Sequence, residues 1–176
     1  MCRFELDQST KWEQSGPTAI GAYASGYGEV SIYIDARTKT EVNKYLRRRL
    51  QEVKKSKKAF QVRCFTYLVF LCMRKVLRPE DAIKIDIEYE GQDDRIRDIL
   101  IDLFKKHEER VLKPENICFG SVGKNSKSHV LAIRTAKGQR KPDYVAKLVD
   151  FLQITDKTEE LRMKAFRRRK NRKRNN

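Results

Sequence analysis

The fold is decided by the stretch Arg3-Phe4-Glu5-Leu6-Asp7-Gln8-Ser9. Apolar Phe4 and Leu6 alternate with acidic Glu5 and Asp7, and this period of two is typical of a β-strand with one buried face. A central strand covered by helices on both faces normally reads as a continuous apolar run. The two carboxylates therefore stand where a covering helix would require apolar groups.

A second stretch repeats this pattern from Ile83 to Tyr89, with Asp86 and Glu88 among its polar members. If the two strands are neighbours, three or four carboxylates converge on one face of the sheet. Unpaired, each would cost several kcal/mol to bury, whereas a divalent cation or an open cleft can accommodate them. The alternative is that one or both strands lie at an edge, with ordinary solvated carboxylates.

The remaining patterns predict a chain of alternating elements. Strands over 1–7, 18–24 and 29–35, joined by short turns, indicate an antiparallel meander. The capping-box spacing of Thr38 and Glu41 places a helix start at Thr38, and Pro142 is expected to open another helix through Leu152. The other predicted elements are helices over 60–77, 93–107, 128–137 and 156–168 and strands over 83–89 and 117–119. This order predicts an α/β fold with a mixed five-stranded sheet.

Composition limits the class of protein. The 176 residues carry 40 Lys and Arg against 24 Asp and Glu, a net charge of +16. The longest apolar run, Cys64 to Met73, is far below the roughly 20 residues that span a bilayer. The start of the chain has no apolar signal region, and the four cysteines form no C-x-x-C pair. We therefore expect a cytoplasmic protein without a membrane partner.

The basic residues are concentrated in blocks. Residues 38–78 carry 13 basic and 2 acidic side chains, a balance of +11, and such density favours phosphate backbones as partners. Ordinary solvated helix faces and a disordered tail are the alternatives for parts of this set. The predicted nucleic-acid-binding residues are Lys44, Arg47, Arg48, Arg49, Lys54, Lys55, Lys57, Lys58, Lys124, Lys127, Arg134, Arg140, Lys141, Arg167, Arg168 and Arg169.

A glycine-containing loop runs from Gly120 to Ser126, ahead of a predicted helix. It lacks the Walker spacing, because two residues rather than four separate Gly120 from Gly123. Lys124 and Lys127 still make this turn a candidate contact for backbone phosphates.

The stretch Phe4 to Ser9, followed by Lys11 and Glu13, resembles the opening strand of small ribonuclease H-like proteins. The resemblance covers about residues 1–138. A helical extension over 139–166 and a basic tail over 167–176 would follow. It implies that Asp7 is the first metal ligand and Asp86 the second. The predicted convergence of carboxylates adds Glu5 as a further candidate ligand and Glu88 as a candidate catalytic carboxylate. The implied cofactor is Mg²⁺ or Mn²⁺.

Two positions depart from that family's pattern. The family places a Glu in its first long helix, whereas the apolar helix predicted over 60–77 has no acid, so Glu41 or Glu52 would have to substitute. The family's last helix carries an acid or a His near the site, and His129 stands at the predicted start of that helix. His129 would ligate metal or transfer protons; a capping or phosphate-contacting role is the alternative.

These observations leave two hypotheses of different classes. The first is a Mg²⁺- or Mn²⁺-dependent nuclease acting on RNA or an RNA–DNA hybrid through Asp7, Asp86, Glu88 and His129. The second is a non-catalytic RNA-binding subunit of a ribonucleoprotein that uses the same fold. Metal binding by Asp7 and Asp86 separates them.

Overall fold

A computed structural model describes residues 2–49 and 56–156 of the chain. Within these residues six strands form one mixed sheet: β1 (Arg3–Gln8), β2 (Thr18–Ala24), β3 (Gly28–Ile34), β4 (Ala82–Ile85), β5 (Ile117–Phe119) and β6 (Tyr144–Val145). The helices are α1 (Ala36–Arg49), α2 (Lys57–Met73), α3 (Asp93–His107), α4 (Lys127–Ala136) and α5 over 148–156, with a 3₁₀ turn at Pro114–Asn116.

The sheet has the order β5-β4-β1-β2-β3-β6. The first three strands form the expected antiparallel meander, while β4 pairs in parallel with β1 and β5 in parallel with β4. The expected count of five strands is wrong, because β6 pairs in parallel with β3. That strand takes part of the segment where Pro142 predicted a helix, and the helix begins only at residue 148.

Several other boundaries differ from the sequence-based expectation; helix α2, for example, spans Lys57–Met73 rather than 60–77. Helix α1 begins at Ala36 rather than Thr38, because the Asp35 carboxylate caps it: Oδ1 accepts from the Thr38 amide at 2.8 Å and Oδ2 from its hydroxyl at 2.7 Å. Strand β4 ends at Ile85, so Asp86 and Glu88 follow the strand instead of belonging to it. The predicted helix over 156–168 lies almost wholly outside the described residues.

The two faces of the sheet are covered differently. Phe4, Leu6, Ile20 and Ile32 point to a core that they share with α1, α2, α3 and α5. Helix α4 packs on the opposite face, mainly against β2. Among the described residues, no helix combines the length and apolar character needed to cross a membrane.

Candidate metal centre

The candidate centre lies where the parallel strands β1 and β4 end side by side. The Asp86 amide donates to the Leu6 carbonyl at 3.0 Å and so continues the ladder past the end of β4. Asp7 is the next residue of β1, and the two carboxylates therefore face each other across neighbouring strands. Oxygen atoms of Asp7, Asp86 and Glu88 all lie within 4.8 Å of one another. The predicted adjacency of the two acidic strands is confirmed.

Two of the three carboxylates are held by neighbouring groups. The Val122 amide, in the loop after β5, donates to Asp86 Oδ1 at 2.6 Å. Asp7 Oδ2 lies 2.7 Å from His129 Nδ1, and the Asp7 side chain is only 3% exposed. The loop after β5 thus contacts the carboxylates through Asp86, and α4 contacts them through Asp7.

Burial and like charge act together on the acids. Burial raises the pKa of Asp7 above its usual range, the hydrogen bond from His129 opposes this rise, and the charge of Asp86 adds to it. Burial also raises the pKa of Glu88, against the effects of Gln8 and Lys11. Each raised pKa means that the surroundings disfavour the ionised carboxylate, and a bound cation would reverse that effect.

Helix α4 reaches Asp7 because one residue of β2 has no side chain. Gly21 pairs with Asp7 in the sheet register, and a Cβ at Gly21 would lie 2.4 Å from the Ser128 carbonyl oxygen and 2.7 Å from the Ala132 amide nitrogen. The helix backbone therefore rests directly on β2. Ser126 caps α4 by accepting from the His129 amide at 3.1 Å, which fixes the first turn and brings His129 to Asp7.

A cleft of about 390 Å³ opens in front of the carboxylates. Its lining includes Gln8, Lys11 and Lys124 besides the acids and His129. Gln8 is 5% exposed, and neither polar atom of its side-chain amide has a hydrogen-bond partner of normal geometry. The amide lies close enough to Glu88 to oppose the rise of that carboxyl's pKa, while its polar atoms are shielded from the solvent in the cleft.

The donor set fits a hard divalent cation. Three carboxylates supply oxygen ligands of the kind that Mg²⁺ and Mn²⁺ prefer, and one imidazole stands beside them. Asp7, Asp86 and Glu88 are the described residues that could hold such an ion together.

Some predicted site residues lie elsewhere. Glu5 is half-buried, pairs in register with Lys84 and Tyr23, and is outside the carboxylate group. Glu41 is exposed on α1 and forms an ion pair with Arg37 at 3.3 Å. Glu52 lies outside the described residues, so the missing helix acid has no described substitute at the centre.

The predicted basic residues occupy both faces of the sheet. Lys124 lines the cleft, and Lys127 on α4 donates to the Tyr23 hydroxyl at 3.0 Å. Arg140 is engaged by Asp143 and Ser31, at 3.0 and 2.7 Å. Exposed residues of this set are Lys44, Arg47, Arg48 and Arg49 on α1, Lys57 and Lys58 on α2, Arg134 on α4, and Lys141. Lys54, Lys55, Arg167, Arg168 and Arg169 lie outside the described residues.

Sequence reasoning did not assign three residues to the site: Gln8, Lys11 and Gly21. Gln8 is the last residue of β1 and Lys11 comes three residues later, and that proximity to Asp7 was the available signal. Gly21 could be found only from the pairing of β1 with β2, because its role depends on which residue stands opposite it.

Comparison with known proteins gives no family assignment. A scan against protein-family models finds no match, and neither does a search of the curated proteins. The case for a function therefore depends on the chemistry of the cleft.

Proposed function

We propose that this chain is a metal-dependent nuclease that hydrolyses phosphodiester bonds in RNA or an RNA–DNA hybrid, with Mg²⁺ or Mn²⁺ held by Asp7, Asp86 and Glu88. The observation that carries the proposal is the convergence of these carboxylates within 4.8 Å at the ends of two parallel strands. A ribonuclease H-like fold is part of the proposal. The central order β5-β4-β1-β2-β3, with β2 antiparallel to its neighbours, supports it.

The cleft provides the groups that such a reaction needs. Divalent cations bound there would lower the pKa of a bound water and offset the charge of the phosphate. Asp7 and Asp86 would supply ligands from fixed backbone positions, since one belongs to β1 and the other continues the ladder beyond β4. Lys11 and Lys124 line the same cleft and would attract a phosphate group into it.

In this proposal His129 would transfer protons. Its Nδ1 is occupied by Asp7 at 2.7 Å, so Nε2 is the ring nitrogen that would exchange a proton with a reacting oxygen. The Asp7 carboxylate orients the ring by this contact. We therefore assign His129 to protonation of the leaving group or to removal of a proton from the attacking water.

A cleavage assay tests the proposal. Labelled RNA, RNA–DNA hybrid and single-stranded DNA are incubated with the wild-type protein in Mg²⁺, Mn²⁺ or EDTA, and with the Asp7→Asn variant. We expect metal-dependent cleavage of RNA or hybrid that falls at least about 100-fold in Asp7→Asn. Binding of RNA with no cleavage in any metal would overturn the nuclease assignment.

One observation favours the second function, a non-catalytic RNA-binding subunit. Asp7 is already hydrogen-bonded to His129 at 2.7 Å, so its carboxylate has a partner without a metal ion. In that case Asp7 and His129 would serve to hold α4 on the sheet, and Asp7→Asn would leave RNA binding unchanged.

A further inference from the structure

Lys11 stands at the junction of two clefts. It lines the carboxylate cleft and also a second cleft, and Glu88 is common to both. The second cleft has both basic and acidic groups in its lining: Lys57, Lys58, Gln61, Ile87, Tyr89, Glu13 and Glu90. A strand that passes from one cleft to the other would cross the Lys11 side chain. This side chain is 43% exposed, so its ammonium group is accessible from solvent.

The ammonium group is held by a neutral acceptor. Lys11 Nζ donates to the Glu88 carbonyl oxygen at 3.0 Å, while the nearest Glu88 carboxylate oxygen is 3.8 Å away. The positive charge of Lys11 is thus held beside the three carboxylates, but the ammonium group forms no close ion pair with Glu88. A phosphate oxygen could take further hydrogen bonds from the same ammonium.

The loop that carries Lys11 is anchored by hydrogen bonds of the residues that follow it. Trp12 is 2% exposed; its amide nitrogen lies 3.2 Å from the Tyr89 hydroxyl, and its Nε1 donates to Asn43 at 2.8 Å. The buried Lys39 donates to the Gln14 carbonyl at 2.8 Å. These contacts fix the backbone that directly follows Lys11, and Lys11 itself lines the cleft.

We infer that Lys11 is a phosphate-binding residue that contacts the substrate backbone next to the metal centre and competes electrostatically with the bound cation. This inference rests on the proposed function. In a variant without this charge, the affinity for substrate and the affinity for the metal ion should change in opposite directions. Removing the charge weakens the contact with substrate, and it also leaves the carboxylate group more negative and therefore more attractive to a metal ion.

The test compares Lys11→Met, Lys11→Arg and wild type by Mn²⁺ titration calorimetry and by cleavage kinetics at saturating Mn²⁺. For Lys11→Met we expect Mn²⁺ to bind at least about fivefold more tightly, because one unit charge acting on another about 4 Å away in a water-like dielectric gives this factor and Mn²⁺ carries two charges. We expect the KM for a single-stranded oligonucleotide to rise about fivefold at 0.1 M salt, the value of one phosphate contact. Lys11→Arg should stay close to wild type in both measurements.

Lys105→Met is the matched control, because Lys105 is an exposed lysine in the last turn of α3, remote from both clefts. It should change neither quantity. If wild type binds Mn²⁺ but Lys11→Met binds it equally or less tightly, or if KM does not rise, the role of Lys11 is refuted while the metal centre stands. If wild type binds no Mn²⁺, the proposed function itself fails.

Discussion

At the scale of single residues, Asp7 is the most informative position. Its side chain is 3% exposed, and its pKa is raised mainly by burial. The folded protein therefore binds a proton at Asp7 more readily than the unfolded chain does, and the ionised form destabilises the fold at pH values above the folded pKa. Without a metal ion this is a stability cost at neutral pH, which is typical of a functional site.

The substitution Asp7→Asn should consequently stabilise the metal-free protein. We expect the melting temperature at pH 7 in EDTA to rise by about 2–4 °C, the shift that ~1 kcal/mol produces in a chain of this size. The difference should shrink as the pH falls through the raised folded pKa and disappear well below about pH 4, the ordinary pKa of an Asp, where the wild-type carboxyl group is protonated in both states. Thermal unfolding followed by circular dichroism measures it. A lower melting temperature for Asp7→Asn at pH 7 would show that the bond to His129 outweighs the cost of burial.

Most of the acidic residues of the site could be predicted from the sequence. Which of these residues come together in space could be predicted only in part. Asp7, Asp86 and Glu88 were recognisable because acids interrupt strands that should be apolar. Glu5 satisfied the same alternation with Asp7, yet β4 places Lys84 beside it. Lys11 acquires its position from a contact with Glu88, 77 residues away in sequence, and no local pattern records such a contact.

At the scale of elements, the packing of α4 on β2 controls the distance between His129 and Asp7. The substitution Gly21→Ala would introduce a Cβ 2.4 Å from the Ser128 carbonyl oxygen. Because the clashing atoms belong to the helix backbone, α4 must shift, at a cost of about 1–3 kcal/mol. We expect urea unfolding to show this loss and cleavage to fall along with it.

Gly123→Ala is the control for stability, since a Cβ there meets no atom within 4 Å. Its free energy of unfolding should change by less than about 0.5 kcal/mol. Equal stability of the wild type and Gly21→Ala would contradict the close packing of α4 on β2.

The start of α1 offers a second test at this scale. The hydrogen bonds from Thr38 hold the pKa of Asp35 below its usual value. The capping contribution is therefore present above about pH 4 and is lost as the pH falls through the lower folded pKa. Asp35→Ala should reduce the free energy of unfolding by ~1 kcal/mol at pH 7.

Glu41→Gln serves as its comparison, because Glu41 is the residue that the capping-box spacing singled out. Its ion pair with Arg37 is solvent-exposed, so we expect a change below about 0.5 kcal/mol. A larger loss for Glu41→Gln than for Asp35→Ala would contradict the helix start at Ala36. The sequence misplaced that start because both Asp35 and Thr38 are good caps, and spacing alone favoured the second.

At the scale of the whole molecule, the topology follows from the periodicity of the sequence and from tertiary contacts, whereas the net charge follows from composition alone. The order of strands and helices was predictable from periodicity up to residue 137. Beyond it, Tyr144–Val145 is too short to show alternation, and its pairing with β3 depends on tertiary contacts. The net charge of +16 is a property of composition, and the described basic residues lie on both sides of the sheet.

Removal of residues 167–176 tests how this charge acts. The segment contains seven basic residues between Arg167 and Arg174. On single-stranded RNA, its deletion should reduce the slope of log K against log salt concentration by up to about 5. We expect a higher KM, an unchanged kcat and an unchanged order of substrate preference, measured by fluorescence anisotropy and cleavage assays. A changed order of preference would assign the tail a role in selectivity.

We propose that three carboxylates at the ends of β1 and β4 form a metal centre. Electron paramagnetic resonance of Mn²⁺ titrated into the full chain measures whether they bind the ion, with Asp86→Asn as the comparison. We expect saturable binding of one or two Mn²⁺ ions by the wild type and a loss of at least about tenfold in affinity for Asp86→Asn. Absence of saturable binding, or equal affinity in the two proteins, would refute the metal centre.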